Sequence, residues 1–338
     1  VADYQSILVE FAADILVVDL CCFGAATLRD LGGPVWATLG INPLVTLDPE
    51  CPPYGTGAQP PKTFIGRTLN WLNHLMAQWI FFPRVTAPLN IEREKLGLAP
   101  LPNSGFYDNA RSKYLHIMPT TLAFEYPRPF AVNIHFVGPL LPIQTKAFVP
   151  PEWWHDIVED KGEKKVAHVT QGTYATDSVN LIHPTIKALS SMTNLLLVVT
   201  TPDAETAFAG IELPANIRIA AFIPHAELLK HVDVMITNAG YNGVLAALSM
   251  GVPMVCAGRT EDKADVSARV AWARAGIDLG TDSPSEANIR DAVKKILEEK
   301  RYKERALKVK ESFEEHKSDV EACDLLERLA REKGVVER

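Results

Sequence analysis

The chain has 338 residues, 47% of them hydrophobic, and a formal net charge of −7. That size suits two packed domains, and the acid excess argues against a general nucleic-acid partner. The apolar runs are strand-length, so neither a signal peptide nor a membrane span is expected.

A helix over residues 4–12 leads into a strand at 14–19, a helix at 24–31 and a strand at 35–39. The strands lack flanking polarity, which implies a parallel sheet covered on both faces. Residues 42–66 are rich in proline and glycine and read as a long loop, of the length that is functional or mobile in compact domains. A helix over 67–96 follows, broken near Pro83 and Pro88. Its segment 71–82 (WLNHLMAQWIFF) reads as a buried or cleft-lining helix. A strand is expected at 114–119. Residues 139–151 are proline-rich and read as a linker between domains 1–138 and 152–310, with a C-terminal helix at 311–338.

The second half alternates regularly. Strands are expected at 166–170, 195–200, 217–222, 232–237, 254–257 and 276–279, with helices at 178–190, 203–209, 226–230, 243–250 and 264–275. Such alternation means a doubly wound sheet. From Glu286 to Val335 the chain is charged and helical, with Ile289, Val293, Ile296 and Leu297 at helical spacing. The five cysteines (Cys21, Cys22, Cys51, Cys256 and Cys323) lack any CxxC spacing. They read as reduced, mostly buried thiols of a cytoplasmic protein, and no metal site is expected.

The strongest local signal is Asp233-Val-Met-Ile-Thr-Asn-Ala-Gly-Tyr-Asn-Gly243. A buried strand ends at Thr237, a glycine turn follows, and a helix opens near Asn242. Gly240 and Gly243 let the backbone approach a ligand, and a helix N-terminus favours an anion. An ordinary strand-to-helix turn has the same pattern, so the turn alone leaves both readings open.

The flanking segments narrow the choice. Thr-Asn-Ala-Gly-Tyr-Asn-Gly (237–243), Gly-Val-Pro-Met-Val (251–255), Thr-Glu-Asp-Lys (260–263), Ala-Arg-Val-Ala-Trp (268–272) and Gly-Ile-Asp-Leu (276–279) occur in order. With Phe222-Ile-Pro-His-Ala-Glu-Leu-Leu229 and Val169-Thr-Gln-Gly-Thr173, they resemble the donor domain of family-1 UDP-glycosyltransferases. The resemblance covers most of 137–310 and extends more weakly back to residue 14. It implies an α/β GT-B-like fold of two Rossmann-type domains and a UDP-sugar co-substrate. Thr173, Ala239, Gly240 and Asn242 would face the diphosphate, and Phe222, Ile223 and His225 the base. Glu261 and Asp262 would meet sugar hydroxyls, although a solvated helix start has the same composition. The chain departs from the commonest family pattern with Asn238 for histidine, Tyr241 for tryptophan and Lys263 for glutamine. Asn238 is kept with the donor-site set.

In that family a histidine after the first strand deprotonates the acceptor and an aspartate on a later strand orients it. Asp19 matches the aspartate, or else caps the turn after its strand. No strand-Gly-His segment precedes it, so the N-terminal domain is expected to be incomplete and the base absent. His74, beside Trp71 and Gln78 on the aromatic helix, is the one histidine singled out as a catalytic candidate. Trp71, Gln78 and Trp79 are the candidate substrate-binding residues.

Three functions follow. The preferred one is a repurposed enzyme of secondary, natural-product metabolism, needing no cofactor, that orients a hydrophobic terpenoid- or polyketide-like substrate for cyclisation, cycloaddition or isomerisation. The alternative is a UDP-sugar-dependent glycosyltransferase of a small hydrophobic acceptor, and the third is a non-catalytic scaffold. An exposed sheet edge at Ile15–Val18 is expected to be covered, by a homodimer in the simplest case.

Overall fold

The computed structural model describes the whole chain except residues 46, 103–104, 144–146, 173–178, 209–212 and 334–338. Two compact units result, one of Val1–Leu140 with Glu315–Arg338, the other of Leu141–Glu314.

The first unit holds a parallel sheet in the order β1 (Ile15–Asp19), β2 (Val35–Leu39), β3 (Leu115–Met118) and β4 (Ile134–Phe136). The register pairs Ile15 with Val35, Ala37 with Leu115 and His116 with Ile134. Strand alternation sorts the side chains. Val35, Ala37, Leu115 and Ile117 pack on one face with Ala322 and Leu329 of the helix Ser318–Lys333. Trp36 joins Val18 and Ala25 in a separate cluster. The charged C-terminal stretch is therefore three helices, Glu286–Glu298, Arg301–Glu314 and Ser318–Lys333, and the last belongs to the first unit. β1 is the edge strand, and Val17 at its centre is half exposed.

Residues 42–62 form no regular element but are tied down rather than loose. Leu44 N donates to Glu125 Oε1 (3.0 Å), Asn42 to the Tyr54 hydroxyl (2.9 Å) and Tyr126 OH to the Ala58 carbonyl (3.0 Å). Glu125 is itself buried against Arg128 (3.1 Å). The following helix starts at Phe64, earlier than expected, because Thr63 Oγ1 accepts from Gly66 N (3.1 Å) as an N-cap.

That helix corrects the buried alternative of the sequence reading. Phe64–Met76 buries only Asn70 and His74. Trp71 is 60% and Trp79 72% exposed, and Gln78 is exposed too, so the aromatic segment lines no buried core. The expected breaks take another form. Pro83 cannot donate a hydrogen bond, and the preceding turn, Ala77–Phe81, widens to a π-helix before Phe82–Lys95 continues straight through Pro88.

The second unit is a six-stranded parallel sheet in the order β10-β9-β8-β5-β6-β7. Its strands are β5 (Lys165–Thr170), β6 (Leu195–Thr200), β7 (Ile217–Ala220), β8 (Val234–Thr237), β9 (Met254–Cys256) and β10 (Gly276–Asp278). Every residue of β6, Leu-Leu-Leu-Val-Val-Thr, is buried, as expected of a strand covered on both faces. The chain enters at β5, winds outward through β6 and β7, then returns to β5's other side at β8. That reversal leaves a crevice at the carboxyl ends of β5 and β8, where Thr170 and Thr237 are paired. The turns leaving these two strands are where a ligand is best received.

Candidate donor site in the second unit

In the turn after β8 it is Ala239, not a glycine, that takes the left-handed conformation (φ 63°), and its N–H is held by Thr237 Oγ1 (3.1 Å). Gly240 is extended and is the N-cap of the helix Tyr241–Ser249, which begins before Asn242. No described residue comes within 4 Å of a Cβ placed at Gly240. Among the described residues no side chain caps this helix end. A helix N-terminus carries the positive end of the helix dipole, which favours an anion.

Asn238 is buried, and its Nδ2 donates to the main-chain carbonyl of Gln171 in the turn after β5. This asparagine stands where the commonest family pattern has histidine, and it clamps the two turns together. Gly258 completes the packing: a Cβ there would lie 2.0 Å from Asn238 O and 3.0 Å from Lys263 Cβ. The segment 260–263 is thus drawn against the turn. Within it Glu261 has φ 55°, an unfavourable conformation for a residue with a side chain. Its exposed carboxylate forms an ion pair with the buried Lys263 ammonium. Asp262 opens the helix Lys263–Trp272, and burial, only partly offset by Lys263, pushes its carboxyl above the ordinary aspartate range.

On the base side, Phe222 is 78% exposed and Ile223 is buried. His225 begins the short helix His225–Leu228. Burial lowers the His225 pKa, so the ring is neutral at neutral pH and offers one donor and one acceptor. Behind it lies His168 of β5, with ring centroids 6.1 Å apart and His168 Nε2 2.9 Å from Thr200 Oγ1. Burial first, then the neighbouring His225, brings the His168 pKa down to about 3. Phe222, His225 and Asn242 meet in one cavity of about 610 Å³, whose other walls include Phe148, Pro224 and Ala246. Thr173 lies outside the described residues.

The first-unit candidates do not converge. Asp19 ends β1, and its Oδ1 accepts from Cys21 N (2.7 Å), the geometry of a turn cap. His74 points inward, with Nε2 2.9 Å from the Cys51 carbonyl, and Asn70 donates to the Pro49 (2.8 Å) and Cys51 (3.3 Å) carbonyls beside it. His74 is therefore a loop tether. Trp71, Gln78 and Trp79 face outward and do not join it in a pocket. Cys51 and Cys256 are buried as expected, whereas Cys21 and Cys323 are exposed. No helix of the described residues is long and apolar enough to cross a membrane.

Sequence reasoning gave no site role to Gln171, His168 or Lys263. Gln171 was legible as the first residue after a buried strand. His168 carried no motif, because an inward-facing histidine within a strand looks like any other core position.

Comparison with known proteins bears on this geometry. The family model described as UDP-glucoronosyl and UDP-glucosyl transferase matches residues 56–325. The 4'-demethylrebeccamycin synthase of Lentzea aerocolonigenes is 36% identical over 97% of this chain and 76% of its own length. UDP-glycosyltransferase 2 of Phaeomoniella chlamydospora is 30% identical over 96% of this chain and 72% of its own length. Among solved structures, the spinosyn rhamnosyltransferase SpnG superposes with a TM-score of 0.71 at 16% identity, covering 96% of this chain and 76% of that one. The calicheamicin glycosyltransferase CalG4 gives 0.69 at 21% identity, covering 97% and 76%.

Proposed function

We propose, from the premise that this chain belongs to the UDP-glucoronosyl and UDP-glucosyl transferase family, that it transfers a sugar from a pyrimidine nucleoside-diphosphate donor, UDP-sugar first, to a hydroxyl of a small hydrophobic acceptor of secondary metabolism. Its two parallel sheets have the α/β GT-B architecture of the solved glycosyltransferases. The UDP-glycosyltransferase and UDP-glucosyltransferase relatives favour transfer over the repurposed cyclisation, cycloaddition or isomerisation reading. The scaffold reading gains no support from them either.

The observation that carries the proposal is the N-terminus of the helix Tyr241–Ser249 at the switch point of the sheet, where among the described residues no side chain caps the helix and none fills the space over Gly240. In the proposed reaction the acceptor hydroxyl oxygen attacks the anomeric carbon, its proton passes to water, and the bond from that carbon to the diphosphate oxygen breaks. Negative charge grows on the diphosphate as it leaves. The N–H groups after Gly240 and the helix dipole meet that charge without reorganising, which lowers the barrier. Neutral His225 and the exposed ring of Phe222 are proposed to hold the base by a hydrogen bond and by stacking. Glu261 and Asp262 are proposed to accept from sugar hydroxyls, Glu261 while oriented by Lys263. Trp71, Gln78 and Trp79 are proposed to contact the acceptor through their exposed faces. Asp19 is proposed to act near the acceptor hydroxyl only as a positioning group.

The free edge of β1 keeps a homodimer within the proposal, and the cysteine pattern a cytoplasmic setting. Isothermal titration with UDP and dTDP, then transfer to a panel of hydroxyl-bearing hydrophobic aglycones, tests the reading. Saturable heat with either nucleotide and a glycosylated product by mass spectrometry are expected. Absence of heat at millimolar nucleotide overturns it.

A further inference from the structure

We propose that the outward face of the helix Phe64–Met76 and its π-helical continuation Ala77–Phe81 docks on an anionic lipid surface. The inference concerns the first unit alone and does not depend on donor binding.

The face is unusual for a protein surface. Phe64 is 82%, Ile65 73%, Trp71 60%, Met76 59%, Trp79 72% and Phe81 54% exposed on one continuous helical rod. The rod cannot roll to hide them. Asn70 and His74 are held on its opposite side by the Pro49 and Cys51 carbonyls, and Phe82 is buried directly after it. At ~1.5 Å per residue the exposed stretch is about 27 Å long, more than a drug-sized acceptor can cover.

Charge selects the occupant. From Cys51 to Ile91 the sequence contains no aspartate or glutamate, while Lys62, Arg67 and Arg84 are all exposed. The chain as a whole carries −7. The nearest carboxylates in sequence are the exposed Glu50, before the stretch, and Glu92, after it and paired with Lys95 (2.7 Å). A second copy would bring the same cations face to face, which disfavours self-association through this surface. An apolar, aromatic helix face ringed by cations fits the interface of an anionic bilayer, where phenylalanine and tryptophan rings enter the headgroup boundary and lysine and arginine meet phosphates. The helix lies on such a surface and does not span it.

The test uses the full chain and sedimentation with vesicles of phosphatidylcholine, with or without phosphatidylglycerol. Binding is expected only with phosphatidylglycerol present, and it should weaken steeply as salt rises. Arg67→Glu with Arg84→Glu is expected to cut the partition at least about tenfold, since each basic residue near such a surface contributes roughly fivefold. Phe64→Ser with Ile65→Ser should do the same. A thermal melt for each variant, together with unchanged UDP affinity where the parent binds UDP, shows that the fold is intact. Equal binding to both vesicle types, variants that bind like the parent, or no vesicle binding alongside concentration-dependent dimerisation lost in the Phe64→Ser, Ile65→Ser variant, each overturns the proposal.

Discussion

Asn238 donates its side-chain amide to the main-chain carbonyl of Gln171, so one hydrogen bond joins the two turns that leave the paired strands β5 and β8. Asn238→Ala removes the clamp and leaves a buried carbonyl without this donor, at a cost of about 1–3 kcal/mol. The melting temperature is expected to fall and UDP affinity to weaken by about tenfold or more. Asn238→His, the commoner family residue, is expected to recover part of both losses. Calorimetry and nucleotide titration on the three proteins check this. An Asn238→Ala protein that binds UDP like the parent refutes the clamp.

Ala239 holds φ 63° where glycine would rest without strain. Ala239→Gly is expected to leave stability and donor binding nearly unchanged. Ala239→Val forces a β-branched side chain into the left-handed region and should destabilise by at least the ~1–3 kcal/mol of such strain. Urea unfolding of both variants reads the difference, and equal midpoints would contradict it.

His116 and His168 are buried, each with a pKa lowered from 6.5 to about 3. Burial is the chief cause for both, followed by Arg111 for His116 and His225 for His168. Above pH 6.5 neither ring is charged in either state. As the pH falls from 6.5 toward 3, the unfolded chain binds protons that the folded chain refuses, so stability drops through that window. The loss is roughly 2 kcal/mol per histidine by about pH 5. Urea midpoints across this range measure the slope, and His168→Gln should remove its own share of roughly 2 kcal/mol. An unchanged slope in that variant rules out His168 as a source.

His74→Ala and Asn70→Ala each remove one of the two side-chain hydrogen bonds to the Cys51 carbonyl. Each is expected to cost about 1 kcal/mol and to speed proteolysis and hydrogen exchange in residues 48–58. Nucleotide affinity should stay the same, since both residues belong to the first unit. Mass spectrometry of exchanged peptides resolves the two effects. Slower donor binding without any loss of loop protection would mark His74 as something other than a tether.

Much of the second unit was legible because period and punctuation agree there. Buried runs such as Leu195–Thr200 alternate with amphipathic helices, and the Thr237–Gly243 turn sits where the strand order reverses. What escaped was the division of labour inside that turn. Glycines advertise left-handed backbone, yet the positive φ fell on Ala239 because Thr237 Oγ1 holds its N–H. The first unit was harder to read. A run of tryptophan, leucine and phenylalanine means burial on average, but Asn70 and His74 claimed the inner side of the helix and turned Trp71 and Trp79 outward. The long loop looked mobile by composition. Its anchors, Glu125, Tyr126 and His74, lie far away in sequence, and no local pattern could reveal them.

Ala322 and Leu329 lie in the same apolar cluster as Val35, Ala37 and Ile117. Emerging from the ribosome, the chain finishes the second unit before the helix that seals the first has been synthesised. The earlier-made sheet must therefore wait, one face uncovered, for residues 318–333 to arrive. Nonsense mutations and clipping near the C-terminus consequently injure the opposite end of the polypeptide, and an expression fragment stopped at Leu140 lacks part of its own interior.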